Sequence, residues 1–318
     1  MRRPGCGVTG GSRLKAYVLM GVALALFAVS NPVAGSPKFS GWSTPVNLGP
    51  GINSVLRENG PAISKDGLSL YFGSFRDGGF GGSDIWVSQR ASVDDSWGPP
   101  VNLGPTINTA VLEAVPEFSR DGHWMFFNRV GGPGSLGGFD IWVSHREKVH
   151  DDFAWETAVN LGSAINTASN DAGPSYFAND DLGVPLLFFG SDRAGGLGGY
   201  DIYVSAQQAD GSWGAGEPVT ELSSSTNDQR PSIRSDGLEL FFFSDRVGGV
   251  GLTDLWVSTR GSTSDPWSPP VNLGSGVNSP QDDTQPFIAP DRVTLFFAST
   301  RLGSVGDQDL YVTTRLKT

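Results

Sequence analysis

The sequence predicts an all-β chain folded as a five-bladed β-propeller of four-stranded antiparallel blades, closed by its N-terminal strand. Three observations predict it. Trp42, Trp97, Trp155, Trp213 and Trp267 lie 55, 58, 58 and 54 residues apart. A fixed period of that length means a repeat architecture. Each unit holds four strand-like segments and no helix signal. The chain also opens on a lone last segment and ends on a unit that lacks one, so the two fragments add up to one blade.

The elements of a unit follow in order. Segment A, around Pro61–Ser64, starts three residues after an acidic side chain. Asp66-Gly67, Asp121-Gly122 and Asp236-Gly237 supply the A–B hairpin turn, where glycine accepts positive φ. Segment B (Leu68–Ser74 in the first unit) reads LSLYF, HWMFF, PLLFF, LELFFF and VTLFF along the chain. It is apolar on successive residues, the mark of a strand buried on both faces. Stacked propeller blades provide that setting. Segment C (Asp84–Arg90) ends the phrase DIWVS or a close variant. Segment D (Trp97–Leu103) carries VNLG, at Val46–Gly49, Val101–Gly104, Val159–Gly162 and Val271–Gly274, with a looser copy from Pro218. The orphan D segment, Trp42–Leu48, is expected beside the last C segment, Asp309–Arg315, because ring closure removes exposed edges.

Composition narrows the class. The 318 residues include 44 glycines and 21 prolines, with 17% charged and 11% aromatic side chains. That is too apolar for a disordered chain and too turn-rich for a helical one. Residues 1–35 read as a secretory signal: Arg2, Arg3, Arg13 and Lys15, then an apolar core over Tyr17–Ser30, then Val33-Ala34-Gly35. The core is shorter than the roughly 20 residues of a spanning helix. A periplasmic or secreted location is therefore expected, with residues 36–318 forming a single propeller domain. The sole cysteine, Cys6, lies in the leader, so the remainder has no disulfide or thiolate site. The leader takes four of the 22 basic residues and none of the 33 acidic ones, which leaves a net charge of −15. No nucleic acid partner fits such a chain. Cations, sugars and basic protein surfaces do.

The stretch PAISKDGLSLYFGSFRDGGFGGSDIWVSQR resembles the PD40 repeat, the WD40-like propeller repeat of TolB-type bacterial envelope proteins. The resemblance covers residues 42–318. It implies a binding or scaffolding module; the chain is expected to be a monomer with an envelope protein or glycan as its partner.

Two features suggest a site. The B–C loop of each unit opens with arginine and closes with aspartate: Arg76 and Asp84, Arg129 and Asp140, Arg193 and Asp201, Arg246 and Asp254, Arg301 and Asp309. A wide hairpin with an Arg–Asp pair across its neck or to the next blade explains it. Calcium-turn and dinucleotide-loop spacings do not match. The second feature is a ring of acids. Glu58, Glu113, Asp171, Asp228 and Asp283 each stand three residues before a segment A proline. On a propeller they share one face with the B–C loops, around the channel mouth. They either cap their strands and pair with arginines, or hold a cation, a sugar or a cationic ligand. No other cofactor is expected, and calcium is the candidate metal, since only oxygen ligands are available. Arg230 breaks the symmetry, standing where the other units have Gly60, Val115, Gly173 and Gln285.

Catalysis is not the first expectation. His123, His145 and His150 map to the opposite face and have no nucleophile beside them. The alternative is a glycoside hydrolase-like or cation-dependent carbohydrate-active propeller, which would need two suitably spaced carboxylates. The aromatics shared by segment C (Trp86, Trp142, Tyr203, Trp256 and Tyr311) are expected between blades.

Overall fold

The computed structural model describes residues 39–318. The expected leader, residues 1–35, lies outside the described residues. Strand β1 (Val46–Asn47) comes first. Then β2 (Glu58–Ile63), β3 (Ser69–Ser74), β4 (Asp84–Gln89) and β5 (Val101–Asn102) form blade 1. Blade 2 is β6 (Leu112–Phe118), β7 (Trp124–Val130), β8 (Phe139–His145) and β9 (Val159–Asn160). Blade 3 is β10 (Asp171–Asn179), β11 (Val184–Ser191), β12 (Asp201–Ala206) and β13 (Glu217–Pro218). Blade 4 is β14 (Asp228–Ile233), β15 (Glu239–Ser244), β16 (Asp254–Thr259) and β17 (Val271–Asn272). Blade 5 combines β18 (Asp283–Ile288), β19 (Thr294–Ser299) and β20 (Asp309–Thr314) with β1. The fold is thus a five-bladed, all-β propeller, with no helix among the described residues. None of these residues forms a helix long and apolar enough to cross a membrane.

Closure follows the expected phase. Val46 pairs with Val312 and Asn47 with Tyr311, antiparallel. The Asn47 side chain donates to Asp309 Oδ2 at 2.7 Å. Asn53 Oδ1 accepts from the Leu310 amide at 2.8 Å, and its Nδ2 donates to the Leu310 carbonyl at 3.1 Å. Asn108, Asn166 and Asn278 grip Ile85, Ile141 and Leu255 the same way. The repeated asparagine is therefore a side-chain clamp from the D–A loop onto the C strand. In the looser copy, Ser223 Oγ takes the role, 3.2 Å from the Ile202 amide.

The outermost strands are shorter than the sequence predicts, two residues each. Pro99-Pro100 and Pro269-Pro270 precede two of them. Proline has no N–H to give a ladder. The B strands meet expectation, with every residue of β3 buried. Five apolar clusters fill the seams between neighbouring blades, and the C-strand aromatics belong to them.

The glycine-rich loops are structural, but their bonding differs from the expected Arg–Asp pair. Asp84 Oδ2 accepts from the Phe80 amide at 2.6 Å and from Asn102 Nδ2 at 2.7 Å. Asp140 and Asp201 take the amides of Leu136 and Leu197, each at 2.7 Å. The carboxylate gathers its own loop's N–H groups, which leaves the arginine for another partner. One glycine of the loop is fixed by crowding. A Cβ at Gly198 would sit 2.0 Å from the Thr226 carbonyl oxygen, in the first loop of the next blade. Gly198→Ala is therefore expected to cost about 1–3 kcal/mol. Chemical denaturation checks this, and an unchanged midpoint would refute it.

Candidate functional site

Each A strand starts on the face of the B–C loops and ends at the A–B turns, so the central channel has two different mouths. The five ring carboxylates lie at the first, and all five are fully buried. Each pairs with the arginine that opens its own blade's B–C loop. Glu113 Oε1 lies 2.8 Å from Arg129 Nε, Asp171 Oδ1 2.5 Å from Arg193 Nη2, and Asp283 Oδ1 2.5 Å from Arg301 Nη2. Glu58 pairs with Arg76 at 3.2 Å, and Asp228 with Arg246. The second oxygen of each accepts the amide four residues earlier, on Ser54, Thr109, Thr167, Ser224 or Ser279. Hydroxyls of Ser74 and Ser191 add to Glu58 and Asp171. Both oxygens of all five are thus bonded within their own blade. Among the described residues no three His, Cys, Asp or Glu side chains gather as a metal centre, the ring included.

The arginines bind a second group as well. Arg129 stacks over Trp142 at 4.2 Å from the ring centroid, and Arg193 over Tyr203 at 4.7 Å. The repeated arginine thus ties ring acid to C-strand aromatic.

Inside this ring the channel is nearly shut. Gly60, Val115, Gly173, Arg230 and Gln285 all take positive φ, between 50° and 66°. Each sits in a register shift between its blade's first two strands. These are five equivalent β-bulges, each just before the strand's proline. A Cβ added at Gly60 would lie 2.6 Å from Val115 Cα, and one at Gly173 2.9 Å from Arg230 Cα. The bulges of blades 1 and 2, and those of blades 3 and 4, therefore touch near the axis. A pocket of about 30 Å³ lies beside the bulges of blades 2 to 5, roughly enough for one water.

Arg230 crosses this plug. Its Nη2 donates to the Pro61 carbonyl at 3.2 Å, spanning from blade 4 to blade 1. It is buried, and Nε and Nη1 have no hydrogen-bond partner. Below it lies Glu117 of blade 2, buried in turn. Burial pushes the Glu117 carboxyl up to about 8, against the opposing charge of Arg230 and a bond from the Tyr176 amide. Burial likewise brings Arg230 down to about 10. Burial thus favours the neutral, protonated form of Glu117.

Glu117 lines a cavity of about 230 Å³ at the A–B turn end of the channel. Phe118, Tyr176, Phe177, Phe287 and Ile288 supply its apolar wall, and Lys65, Arg120 and Arg292 its basic edge. Arg120 holds Asp180 at 2.6 Å on the exposed rim. The sequence reading passed over Glu117. The signal was present: the residue after the strand A proline is Ala62, Ser175, Ser232 or Phe287 in the other blades. A glutamate there breaks the repeat just as Arg230 does.

The histidines lie on this same A–B turn face but serve the surface. His123 stacks on His145 at 6.0 Å, and His145 Nδ1 is 3.2 Å from Glu156. Trp124, exposed, leans on His145.

With this geometry in hand, comparison with known proteins places the architecture. No protein-family model matches the chain, and no curated protein does. Solved structures do. The catalytic domain of the Coprinopsis cinerea GH62 α-L-arabinofuranosidase superposes with TM-score 0.58 at 14% identity, covering 88% of this chain and 98% of that one. The arabinanase of Bacillus subtilis gives 0.56 at 13% identity, covering 88% and 97%. The GH43 endo-arabinanase of Bacillus licheniformis gives 0.55 at 14% identity, covering 82% and 94%. At these identities the likeness is one of fold. It still corrects the earlier expectation. The structural neighbours are glycoside hydrolase propellers, not PD40 or TolB-like repeat proteins, and the binding or scaffolding role inferred from that resemblance loses its support.

Proposed function

We propose that the chain is a carbohydrate-active propeller of the glycoside hydrolase type, working on a glycan at the A–B turn mouth of its channel. One observation carries the reading. Glu117 is a buried carboxylic acid whose neutral form burial favours, and it lines an aromatic-walled cavity on the propeller axis. Such a group can deliver a proton to a departing glycosidic oxygen as water attacks the anomeric carbon. The attacking water must lose its own proton to a second carboxylate. Asp180 stands on the exposed rim outside the cavity lining, with both oxygens on Arg120, and would have to leave that pair to take the role. A leader that exports the chain to the periplasm or beyond suits a glycan substrate.

The test is release of product from aryl α-L-arabinofuranosides, arabinan and xylo-oligosaccharides. Turnover is expected, with a fall of at least about 100-fold in Glu117→Gln. Activity should decline as pH rises through about 8, where the acid form is lost. Stability gives a second reading. The folded-state value lies above the ordinary 4.5, so the stabilising contribution is complete below that pH and lost as pH climbs towards 8. Glu117→Gln should flatten this slope. No turnover on any substrate, or full activity in Glu117→Gln, would refute the proposal.

A further inference from the structure

The five repeated tryptophans occupy five equivalent seams, one between each pair of blades. Four of them pack against a neighbouring aromatic. Trp155 meets Phe118, Trp213 meets Phe126, Trp267 meets Phe188 and Trp42 meets Phe241, with centroids 5.9–6.5 Å apart. Trp97, in the seam between blades 5 and 1, has no such neighbour among the described residues. A cavity of about 490 Å³ lies beside it instead.

The walls of this cavity differ in kind. Trp97, Phe296 and Val312 are apolar, while Asp66, Arg90 and Thr294 are polar. Arg90 stacks on the indole at 4.2 Å from its centroid, and its Nε donates to the Gly67 carbonyl at 2.8 Å. The guanidinium thereby fixes the ring in place. An aromatic surface with polar groups at its margin is the chemistry that takes a sugar ring, apolar C–H face inward and hydroxyls outward.

The seam cavity is also adjacent to the central one. Ile63, Lys65 and Pro290 line both. The two therefore lie side by side on the A–B turn face, one at the axis and one at the closing seam, with these three residues between them.

We infer that this seam cavity is a second glycan subsite, so that the ligand is an extended linear oligosaccharide spanning both cavities. The inference rests on the glycan reading proposed above. It makes the closing seam a recognition element, with Trp97 gripping a sugar unit remote from Glu117.

Calorimetric binding of linear xylo- and arabino-oligosaccharides of increasing length to the intact chain tests this, beside turnover of a short aryl glycoside. In the unaltered chain, affinity should rise with length until both cavities are filled. Trp97→Ala should weaken binding of the long oligosaccharide about tenfold and leave the short glycoside unaffected. Thr294→Trp, which fills the cavity while keeping Trp97, should do the same if Trp97→Ala proves too unstable. Length-independent affinity, or wild-type binding of the long oligosaccharide by either folded variant, overturns the subsite. Loss of short-glycoside turnover in the unaltered chain would instead strike the catalytic reading, while length-dependent binding lost in Trp97→Ala would still uphold the subsite.

Discussion

Deleting residues 39–49 is expected to destroy the cooperative fold and drive the chain into aggregates. The segment supplies the outermost strand of blade 5 through Val46 and Asn47, and the Asn47 side chain holds both Asp309 and Asn53. It also carries Trp42, which packs edge-on to Phe241 in the seam between blades 4 and 5 and lies beneath Arg315. Trp42 is partly buried, so its loss alone costs somewhat less than the roughly 3–5 kcal/mol of a fully buried tryptophan. Together with the lost strand pairing and side-chain bonds, that is a large share of the roughly 5–15 kcal/mol that holds a typical domain together. Strand β20 would then present an unpaired edge, ready to pair with another chain. Size-exclusion chromatography and thermal melting of the truncated chain check this. A monomer with a sharp transition near that of the intact protein would contradict it.

Arg129→Met should be the most damaging single substitution described here. Arg129 is buried, donates to Glu113 at 2.8 Å and to the Ile107 carbonyl at 2.8 Å, and stacks on Trp142. Methionine keeps much of the packing but strands a buried carboxylate. Breaking one member of such a pair costs about 3–5 kcal/mol. For a domain of this size that is a fall of roughly 10 °C in Tm. Replacing both members, Glu113→Gln with Arg129→Met, should return part of the loss, because no uncompensated charge remains. Differential scanning calorimetry of the two variants separates these outcomes. Equal Tm in both would show that the ion pair is not the source of the effect.

The blades were legible in the sequence because each repeat restates the same physical requirements five times. Doubly buried B strands, Asp-Gly turns and the clamp asparagine recur at fixed offsets, and the split blade announced the closure. The ring acids were legible for the same reason. A carboxylate repeated in every blade serves what every blade needs, here the anchoring of an arginine beneath the B–C loop. The features that differ from blade to blade were harder to see. Glu117 and Arg230 lie in different blades, 113 positions apart, and only the folded ring brings them to one axis. The bulges were hidden too. A residue before proline ordinarily favours extended backbone, so positive φ at Val115, Arg230 and Gln285 could not be read from the chain. The family resemblance failed at a different level. Local repeat phrases describe how one blade is made, whereas the likeness to hydrolases lies in the arrangement of all five.

The touching bulges turn the propeller's tunnel into a blind well. Arg230 lies across that tunnel, bonded to Pro61 of blade 1, so the Glu117 cavity faces outward at the A–B turn mouth. A polymer cannot be threaded and can only be draped over the opening, with its ends free on either side. Whatever is cut or held there is handled from its flank.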